Sequence, residues 1–289
     1  MSPSTDADTS DLANPFESTE AYYAEYRPRY GDDPLDYLVT RFDLDESARV
    51  LDLGCGAGHL ALPLAAAAGE VVGMDPNEEM LRHARRLADD EGRENLSFLV
   101  GSDADLAEFT DDLAPLRLTT MGRSFHWMDQ SQTLDTLREL TEPGGGVALL
   151  TDREWLTKGT DAWQEAVYEL AAEYLDDIPA RVDPADVEYD DPWDELLADH
   201  GFVDVETRTF PVEREWDADG IVGYVFSLSF CSPTTFGEEK ESFENALRAQ
   251  LADVDSETFL QHTGVEVVSG KRASGCRSRL DGEDGTATN

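Results

Sequence analysis

The stretch from Val50 to His59 restricts the fold of this chain more than any other part of the sequence. It reads VLDLGCGAGH, a short apolar run followed by glycines at every second position, Gly54, Gly56 and Gly58. The apolar run predicts a buried strand, and the apolar residues that follow predict a helix. Glycine allows a tight turn and a close approach of the main chain to a ligand. We therefore expect bare backbone N–H groups and a helix N-terminus to face a ligand at this turn.

Strands and helices alternate along the chain as far as residue 150, with Pro143 and three glycines expected to break the helix at 132–140 before the fifth strand. Such alternation with short loops is typical of a parallel sheet with helices on both faces. The predicted strands are 49–53, 71–74, 96–100, 116–121, 147–150, 202–210 and 265–268. The predicted helices are 60–68, 77–89, 132–140, 161–175, 221–230 and 239–254, with a loop at 181–193. The sequence thus predicts an α/β fold with a doubly wound, mostly parallel seven-stranded sheet.

Acidic residues dominate the composition: 63 Asp and Glu stand against 22 Lys and Arg, for a net charge of −41. They are spread along the chain, which we interpret as adaptation to a cytoplasm of molar salt, where a Debye length of about 3 Å screens their repulsion. The sequence shows no basic stripe for nucleic acid, no apolar run of membrane-spanning length and no secretory leader. Its cysteines and histidines lack metal-ligand spacing. We expect a cytoplasmic protein that binds no metal, nucleic acid or membrane.

In a doubly wound sheet the ligand lies at the carboxyl ends of the strands, so the residues after each strand are the candidates. Asp52 could accept a hydrogen bond from an ammonium group, or only cap the glycine turn. Asp75 follows the second strand about 20 residues after the first glycine, which suits the paired hydroxyls of a ribose. The alternative for Asp75 is a helix N-cap. Asp103 after the third strand could accept from an adenine amino group beside the N–H of Ala104, or be one more exposed acid.

The fourth predicted strand leads into the segment Gly122–Trp127, at the level where chemistry takes place in such folds. His126 could take up a proton near neutral pH. Alternatively, His126 could pack with Phe125 and Trp127 to hold the loop.

Together these motifs resemble the class I S-adenosylmethionine-dependent methyltransferases, in particular the type 11 small-molecule branch that includes trans-aconitate methyltransferase-like proteins. The motifs are VLDLGCGAG at 50–58, VGMDPNEEML at 72–81, RSFHW at 123–127 and PGG at 143–145. The resemblance runs from about Tyr22 to Leu150 and implies S-adenosyl-L-methionine as the cofactor. The implied cofactor-binding residues are Asp52 with the backbone of Gly54, Gly56 and Gly58 for the methionine part, Asp75 for the ribose, Asp103 and Ala104 for the adenine, Pro76 and Met80 for its faces, and Tyr22, Arg27 and Phe125.

The run Tyr26–Tyr30 looks like the segment that folds over the cofactor in this family, where Arg27 would pair with the cofactor carboxylate. Arg123 stands where the branch often has Gln, and would clamp an anionic substrate. The implied reaction is a metal-independent, in-line transfer of the methyl group to an O, N or C atom of a small molecule, with His126 as an optional base.

The expected organisation has five parts. These are a disordered acidic tail (1–15), an N-terminal helical cap (16–45), a Rossmann-like cofactor-binding core (46–152), a C-terminal part with the remaining strands and a helical substrate lid (153–271), and a disordered tail (272–289). The protein is expected to be a monomer or a homodimer.

Three other functions stay open at this point. An NAD-dependent oxidoreductase would place its third glycine at position 59, which is His59. A nucleic-acid methyltransferase would want an Asn/Asp-Pro-Pro-aromatic run after the fourth strand, and Gly122–Trp127 has none. A catalytically inactive S-adenosylmethionine-binding protein would also fit, because no residue at the reactive end is unmistakably catalytic.

Overall fold

The architecture is built on one seven-stranded sheet. A computed structural model describes residues 18–152, 161–175, 178, 192–254 and 258–274. The strand order is β3-β2-β1-β4-β5-β7-β6. The strands are β1 (Arg49–Leu53), β2 (Glu70–Asp75), β3 (Leu96–Val100), β4 (Leu116–Gly122), β5 (Thr141–Asp152), β6 (Phe202–Trp216) and β7 (Phe259–Arg272). Strands β1 to β5 pair in parallel, whereas β7 pairs antiparallel with both β5 and β6. The predicted fold class is confirmed.

The order of the strands reverses between β1 and β4, which lie side by side at the centre of the sheet. Ligands of doubly wound folds bind in the crevice at such a switch point, outside the carboxyl ends of the strands. The glycine turn follows β1 at this position.

Eleven α-helices lie in the described part of the chain. They are α1 (Glu20–Tyr26), α2 (Asp32–Arg41), α3 (Ala61–Leu64), α4 (Glu78–Glu91), α5 (Thr110–Leu113), α6 (Gln130–Leu140), α7 (Ala162–Tyr174), α8 (Trp193–Asp199), α9 (Ala218–Phe226), α10 (Pro233–Phe236) and α11 (Lys240–Ala252). None of the described helices is long and apolar enough to cross a membrane.

Helix α4 shows how local sequence fixes an element. The Asn77 side chain caps its start by accepting from the backbone N–H groups of Glu79 and Met80. Gly92 ends it in the left-handed conformation, with φ of 65°. The stripe that includes Leu81 and Ala84 is buried between these ends. The Asn77 cap, the terminal Gly92 and the buried stripe between them together define a single helix.

Two hydrophobic cores cover the two faces of the sheet. One contains Leu53, Met74 and Phe125 together with Trp193 of α8. The other contains Val50 and residues of α2 and α3. The sheet is therefore buried on both sides, as a parallel sheet requires.

A third core, which we call the lid core, is formed mainly by residues outside the parallel strands. Among its largest members are Trp216, Tyr224, Phe226, Phe236 and Phe243. They come from the end of β6 and from helices α9, α10 and α11. Helix α1 packs against both α9 and α4, and so connects the lid core to the parallel sheet.

Strands β6 and β7 continue past the end of β5. Asp152 ends β5 opposite Val265 of β7, and Val265 also pairs with Phe210 of β6. The pairing of β6 with β7 then runs on as far as Trp216 and Phe259. We call this part, residues 211–216 and 259–264, the hairpin extension.

Several predicted boundaries were wrong. The helix predicted at 60–68 is reduced to Ala61–Leu64 followed by turns, and β6 and β7 are longer than predicted. Trp193 begins helix α8, whereas it was predicted to end a loop. The rest of that loop, 181–191, lies outside the described residues. So do the predicted tails, except for residues 272–274, of which Arg272 ends β7.

The helix predicted before the fifth strand ends at Leu140, as expected, but the Pro-Gly-Gly-Gly run lies inside β5 rather than before it. A Cβ on Gly145 would come within 2.5 Å of the Arg117 carbonyl oxygen of β4. At Gly146 a Cβ would collide with the carbonyl oxygen of Gly270 in β7. These glycines are needed because neighbouring strands approach closely, so they do not mark a turn.

Candidate functional site

The glycine turn adopts backbone conformations that other residues rarely take. The φ angles of Gly54, Gly56 and Gly58 are 69°, 52° and 84°. A Cβ on Gly54 would also lie 2.5 Å from the Cβ of Ser124, which follows β4. A Cβ on Gly56 would meet only the Tyr23 ring, at 3.5 Å. The turn is therefore packed tightly against β4 on one side and lies beneath α1 on the other.

The expectation of bare N–H groups at the three glycines was wrong. The N–H of Gly54 donates to the Met74 carbonyl at 2.7 Å, and that of Gly58 to the Cys55 carbonyl at 2.9 Å. The N–H of Gly56 donates to Oδ2 of Asp75 at 2.8 Å. Buried backbone donors are almost always paired, and here the pairing is internal. The glycines contribute conformation and close approach rather than free donors.

Asp75 at the end of β2 is held in place by two backbone donors. Its Oδ1 accepts from the N–H of Asn77 at 2.8 Å, and its Oδ2 accepts from that of Gly56. Burial raises the pKa of Asp75, although these two hydrogen bonds oppose the shift. Each carboxylate oxygen has a second lone-pair site. Asp75 is thus an oriented acceptor beside the glycine turn, while the helix N-cap is Asn77.

Asp52 is buried, and both of its oxygens have partners within the protein. The backbone N–H of Ala61 donates to Oδ2 at 3.0 Å, and the Thr120 hydroxyl donates to Oδ1 at 2.9 Å. Burial raises the pKa of Asp52 to about 7, against the effect of these hydrogen bonds. Asp52 ties β1 to α3 and β4. Of the two roles considered for Asp52, the geometry favours capping over contact with an ammonium group.

Helix α1 covers the turn with Tyr23. The Tyr23 ring stacks on the His59 ring, with centroids 5.7 Å apart and an interplanar angle of 16°. His59 Nε2 lies 3.4 Å from the carbonyl oxygen of Ala24 on α1. Burial, helped by nearby arginines, lowers the pKa of His59 to about 4. A neutral His59 therefore joins the turn to α1.

Tyr22, which the sequence placed at the cofactor, points to the lid core instead. Its ring lies 5.3 Å from that of Phe226 and 5.9 Å from the Lys240 ammonium group. The residue over the turn, Tyr23, was missed. A signal for it existed, because Tyr23 lies four residues before Arg27, and residues four apart share a helix face. The Arg27 guanidinium lies 5.3 Å from the centre of the Tyr23 ring.

Arg27 is buried between α1 and α9. Its Nη1 donates to the Ser227 hydroxyl at 3.4 Å, and its guanidinium lies 5.2 Å from the centre of the Tyr224 ring. The structure thus places Arg27 near the turn, next to the lid core.

The residues predicted for adenine are spread around the carboxyl ends of β2 and β3. Asp103 accepts through Oδ2 from the backbone N–H of Asp129 at 3.0 Å, so it also ties the end of β3 to the start of α6. Ala104 and Pro76 are exposed, whereas Met80 is buried on α4.

The segment after β4 separates into packing and exposed residues. Phe125 is buried and packs edge-on against Trp193, with ring centroids 5.8 Å apart. His126 is half-buried, with its ring 5.0 Å from that of Trp127, and 48% of Trp127 is exposed. Phe125 therefore belongs to the sheet core, and His126 lies at the surface end of this segment.

Arg123 makes a buried ion pair. With φ of 56°, it directs its guanidinium to Asp152 at the end of β5, at 2.6 Å between Nη2 and Oδ2. It also donates to the Pro28 carbonyl at 3.1 Å and lies 4.4 Å from the centre of the Tyr30 ring. Arg214 of the hairpin extension reaches the other oxygen of Asp152 at 3.3 Å. Sequence reasoning missed both Asp152 and Arg214.

Two of the three cysteines, Cys55 and Cys231, are free and buried, and Cys276 lies outside the described residues. Within the described ranges, no three His, Cys, Asp or Glu side chains are grouped so that they could hold a metal ion.

A family model described as a methyltransferase domain matches residues 50–145. This range contains the glycine turn, Asp75, Asp103 and the segment after β4. The chain is an S-adenosylmethionine-dependent methyltransferase. Its cofactor is S-adenosylmethionine, and the oxidoreductase and inactive-protein alternatives are set aside.

Relatives of this methyltransferase agree with the match. An uncharacterized methyltransferase-like protein of Schizosaccharomyces pombe is 26% identical over 217 residues, 74% of this chain and 77% of the relative. The ubiquinone biosynthesis O-methyltransferase of Serratia proteamaculans is 30% identical over 156 residues, 52% of this chain and 60% of the relative. A solved structure from Anaeromyxobacter dehalogenans, titled as a type II methyltransferase, has a TM-score of 0.57 at 22% identity and covers 86% of this chain and 100% of its own. That likeness shows the fold.

Proposed function

We propose that this methyltransferase acts on a small molecule, bound where β4 and β5 end beneath α1 and α9. The supporting observation is the enclosure of this position by buried polar side chains. Arg123 and Asp152 come from the strand ends, and Arg27 and Tyr224 from the α1 and α9 side. Convergent buried polar side chains are typical of sites that orient a small ligand. The Serratia proteamaculans relative is named for ubiquinone biosynthesis, which is also small-molecule chemistry.

The cofactor is proposed to lie across the glycine turn, and the residues present fit it. Asp75 is the observation that carries this placement, since its two oriented oxygens keep lone pairs for the two ribose hydroxyls. Above Gly56, the nearest side chain is Tyr23 of α1. Asp103 and Ala104 are proposed for the adenine edge, with Pro76 and Met80 for its faces.

Two earlier assignments are revised in this proposal. Tyr23 takes the place of Tyr22 as the aromatic cover of the cofactor. Asp52 supports the turn rather than binding the methionine ammonium group. Arg27 is kept as the partner of the cofactor carboxylate, because it is buried on the same face of α1 as Tyr23.

When bound, S-adenosylmethionine supplies an electrophilic methyl group on a sulfonium. The protein then has to align a nucleophilic atom of the acceptor and exclude water. Helix α1 and the lid core are proposed to exclude water, and residues after β4 and β5 to orient the acceptor. His126 is proposed to take the proton from a hydroxyl or amine acceptor, through whichever ring nitrogen faces it.

Calorimetry with S-adenosylhomocysteine tests the placement. We expect Asp75→Asn to weaken binding by about 1–3 kcal/mol, roughly 5- to 150-fold, because one ribose hydroxyl loses an acceptor in a buried site. Asp111→Asn, the same change at an exposed site on α5, is the matched control and should bind normally. Equal affinities of the two variants would show that the ribose lies elsewhere.

We also propose a branch of the methyltransferases and a cellular environment for this protein. The motif pattern supports a place near the trans-aconitate methyltransferase-like branch, and the dispersed charge of −41 supports a cytoplasm of high salt concentration. A monomer or homodimer is expected.

Thermal unfolding at increasing potassium chloride concentration tests the assignment to a cytoplasm of high salt concentration. The midpoint temperature of unfolding should rise steadily into the molar range, because salt screens the acidic surface. A midpoint independent of salt would contradict it.

A further inference from the structure

A buried cluster of ions lies at the acceptor end of the site. It consists of Arg123, Asp152 and Arg214, which we call the arginine triad. Arg123 binds Oδ2 of Asp152 at 2.6 Å, and Arg214 binds Oδ1 at 3.3 Å. The side chains of the three residues are only 4%, 9% and 11% exposed. Two guanidinium groups thus share one carboxylate away from water.

The triad carries one positive charge more than its acid can balance. Burial alone would raise the pKa of Asp152, but Arg123, Arg214 and Arg27 together hold it below the usual value, so Asp152 is ionised. Asp52 lies near enough to shift the pKa of Tyr30, as Arg123 and Asp152 also do. Burial raises its pKa to about 7, so its carboxyl group is mostly neutral below that pH. A buried charge in excess is costly unless a counter-ion reaches it.

The position of the triad links it to the acceptor rather than to the ribose end of the site. Arg123 directly follows β4, and Asp152 ends β5. Arg214 comes from the hairpin extension, opposite Gln261 of β7, and reaches back to the end of β5. Asp75, the proposed ribose residue, ends β2 on the other side of the glycine turn.

We propose that the arginine triad anchors a carboxylate of the methyl acceptor, with Arg214 as the specificity-determining residue. A planar guanidinium matches the two oxygens of a carboxylate. With Arg27 paired to the cofactor carboxylate, a single negative charge on the acceptor balances the excess of one, whereas a phosphate dianion would leave the site negative. This inference rests on the proposed function, because it assumes that the acceptor lies at the ends of β4 and β5.

The carboxylate that the triad anchors is not the group that receives the methyl group. Hydrogen bonds to guanidinium groups draw electron density from its oxygens and make them poorer nucleophiles. The acceptor is therefore an organic acid that is methylated at a different O, N or C atom.

The test uses calorimetry with sodium benzoate, a simple carboxylate, on protein saturated with S-adenosylhomocysteine at one fixed ionic strength. We expect benzoate to bind the unaltered protein better than inorganic phosphate does. Arg214→Gln should weaken benzoate binding by about ten-fold or more, since it removes a charge-assisted pair, and leave S-adenosylhomocysteine affinity unchanged. Arg208→Gln is the control: Arg208 lies on the same strand, but its side chain is 54% exposed.

Each contrary outcome has a distinct meaning. Equal benzoate affinity in the two variants, or stronger binding of phosphate, would overturn the proposal. So would a loss of S-adenosylhomocysteine affinity in folded Arg214→Gln, because the triad would then serve the cofactor. If the unaltered protein binds S-adenosylhomocysteine but no benzoate, only this inference fails; if it binds neither, the proposed function fails.

Arg214→Gln should fold, because it leaves Arg123 and Asp152 as a balanced pair. If it does not fold, Arg214→Lys carries the test, since Lys keeps the charge but loses the planar fork. Benzoate binding weaker than in the unaltered protein supports the proposal, and unchanged binding contradicts it.

Discussion

Buried aspartates at the two ends of the site are stabilised in opposite ways. Beside the glycine turn, Asp52 and Asp75 accept hydrogen bonds mainly from backbone N–H groups, and burial raises the pKa of both. At the acceptor end, Asp152 is bound by two guanidinium groups and its pKa is lowered. The first region is thus arranged by main-chain dipoles and the second by side-chain ions. Carboxyl groups oriented by the main chain suit the hydroxyls of the cofactor, and an ionic cluster suits an ionic acceptor.

The largest expected effect tests the ionic side of this comparison. Asp152→Ala should lower the free energy of unfolding by about 3–5 kcal/mol, because it leaves Arg123 and Arg214 buried without a carboxylate. Denaturant unfolding measures this loss. Asp135→Ala, at an exposed pair with His200, should cost under about 1 kcal/mol. Equal losses of unfolding free energy in the two variants would mean that burial does not make the ion pairs of Asp152 more important for stability than an exposed pair.

The next effect tests the packing of the glycine turn. Gly54→Ala should cost about 2–4 kcal/mol, because it combines a left-handed backbone with a collision against Ser124. Gly92→Ala has a similar φ of 65° but nothing within 4 Å of the new Cβ. It should cost only about 1 kcal/mol. Thermal unfolding of both variants separates the effect of backbone strain from that of the collision. Equal losses of stability in the two variants would show that the collision with Ser124 does not contribute.

The pH dependence of stability tests the backbone-stabilised aspartates. The folded pKa of Asp52 is about 7, above its usual 3.8. Between these values the folded state keeps a proton that the unfolded state has lost, so a rise in pH favours unfolding. Asp52 should therefore lower the free energy of unfolding by up to about 1.4 kcal/mol for each pH unit from about pH 4 to 7, and hardly further above that range.

Unfolding measured across this range in the unaltered protein and in Asp52→Asn isolates the contribution. The variant should show a flatter profile. An identical slope in both proteins would mean that Asp52 is ionised throughout.

The smallest effect distinguishes the two neighbouring tyrosines of α1. Tyr23→Ala should weaken S-adenosylhomocysteine binding by about 1 kcal/mol, because it removes the ring over Gly56. Tyr22→Ala should mainly lower stability, since that ring packs on Phe226. Calorimetry measures the affinity of both variants for S-adenosylhomocysteine, and thermal unfolding measures their stability. The reverse pattern would restore the sequence-based choice of Tyr22.

The glycine-turn region could be predicted from sequence because its signals are local. The strand, the three glycines and Asp75 lie within 26 residues of Val50, and the Asn77 cap is two residues further on. The acceptor end has no such local signal. Asp152 and Arg214 are 62 positions apart, and Arg27 and Ser227 are 200 apart. Nothing in the sequence around them indicates that they meet.

Errors in the prediction have physical causes. The Pro-Gly-Gly-Gly run was expected before the fifth strand, but it lies inside β5, where Gly145 and Gly146 are required by the backbones of neighbouring strands. The glycine N–H groups were expected to be free, but buried donors found partners in Met74, Cys55 and Asp75. Tyr22 and Tyr23 differ by one helical position, and only the four-residue spacing of Tyr23 from Arg27 distinguishes them.

A crystal structure with S-adenosylhomocysteine and benzoate tests the division of the site most directly. The account predicts the ribose hydroxyls on Asp75 and the benzoate carboxylate on Arg214, with the sulfur of the cofactor product between them. A ribose away from Asp75, or an adenosyl group lying against the arginine triad, would contradict it.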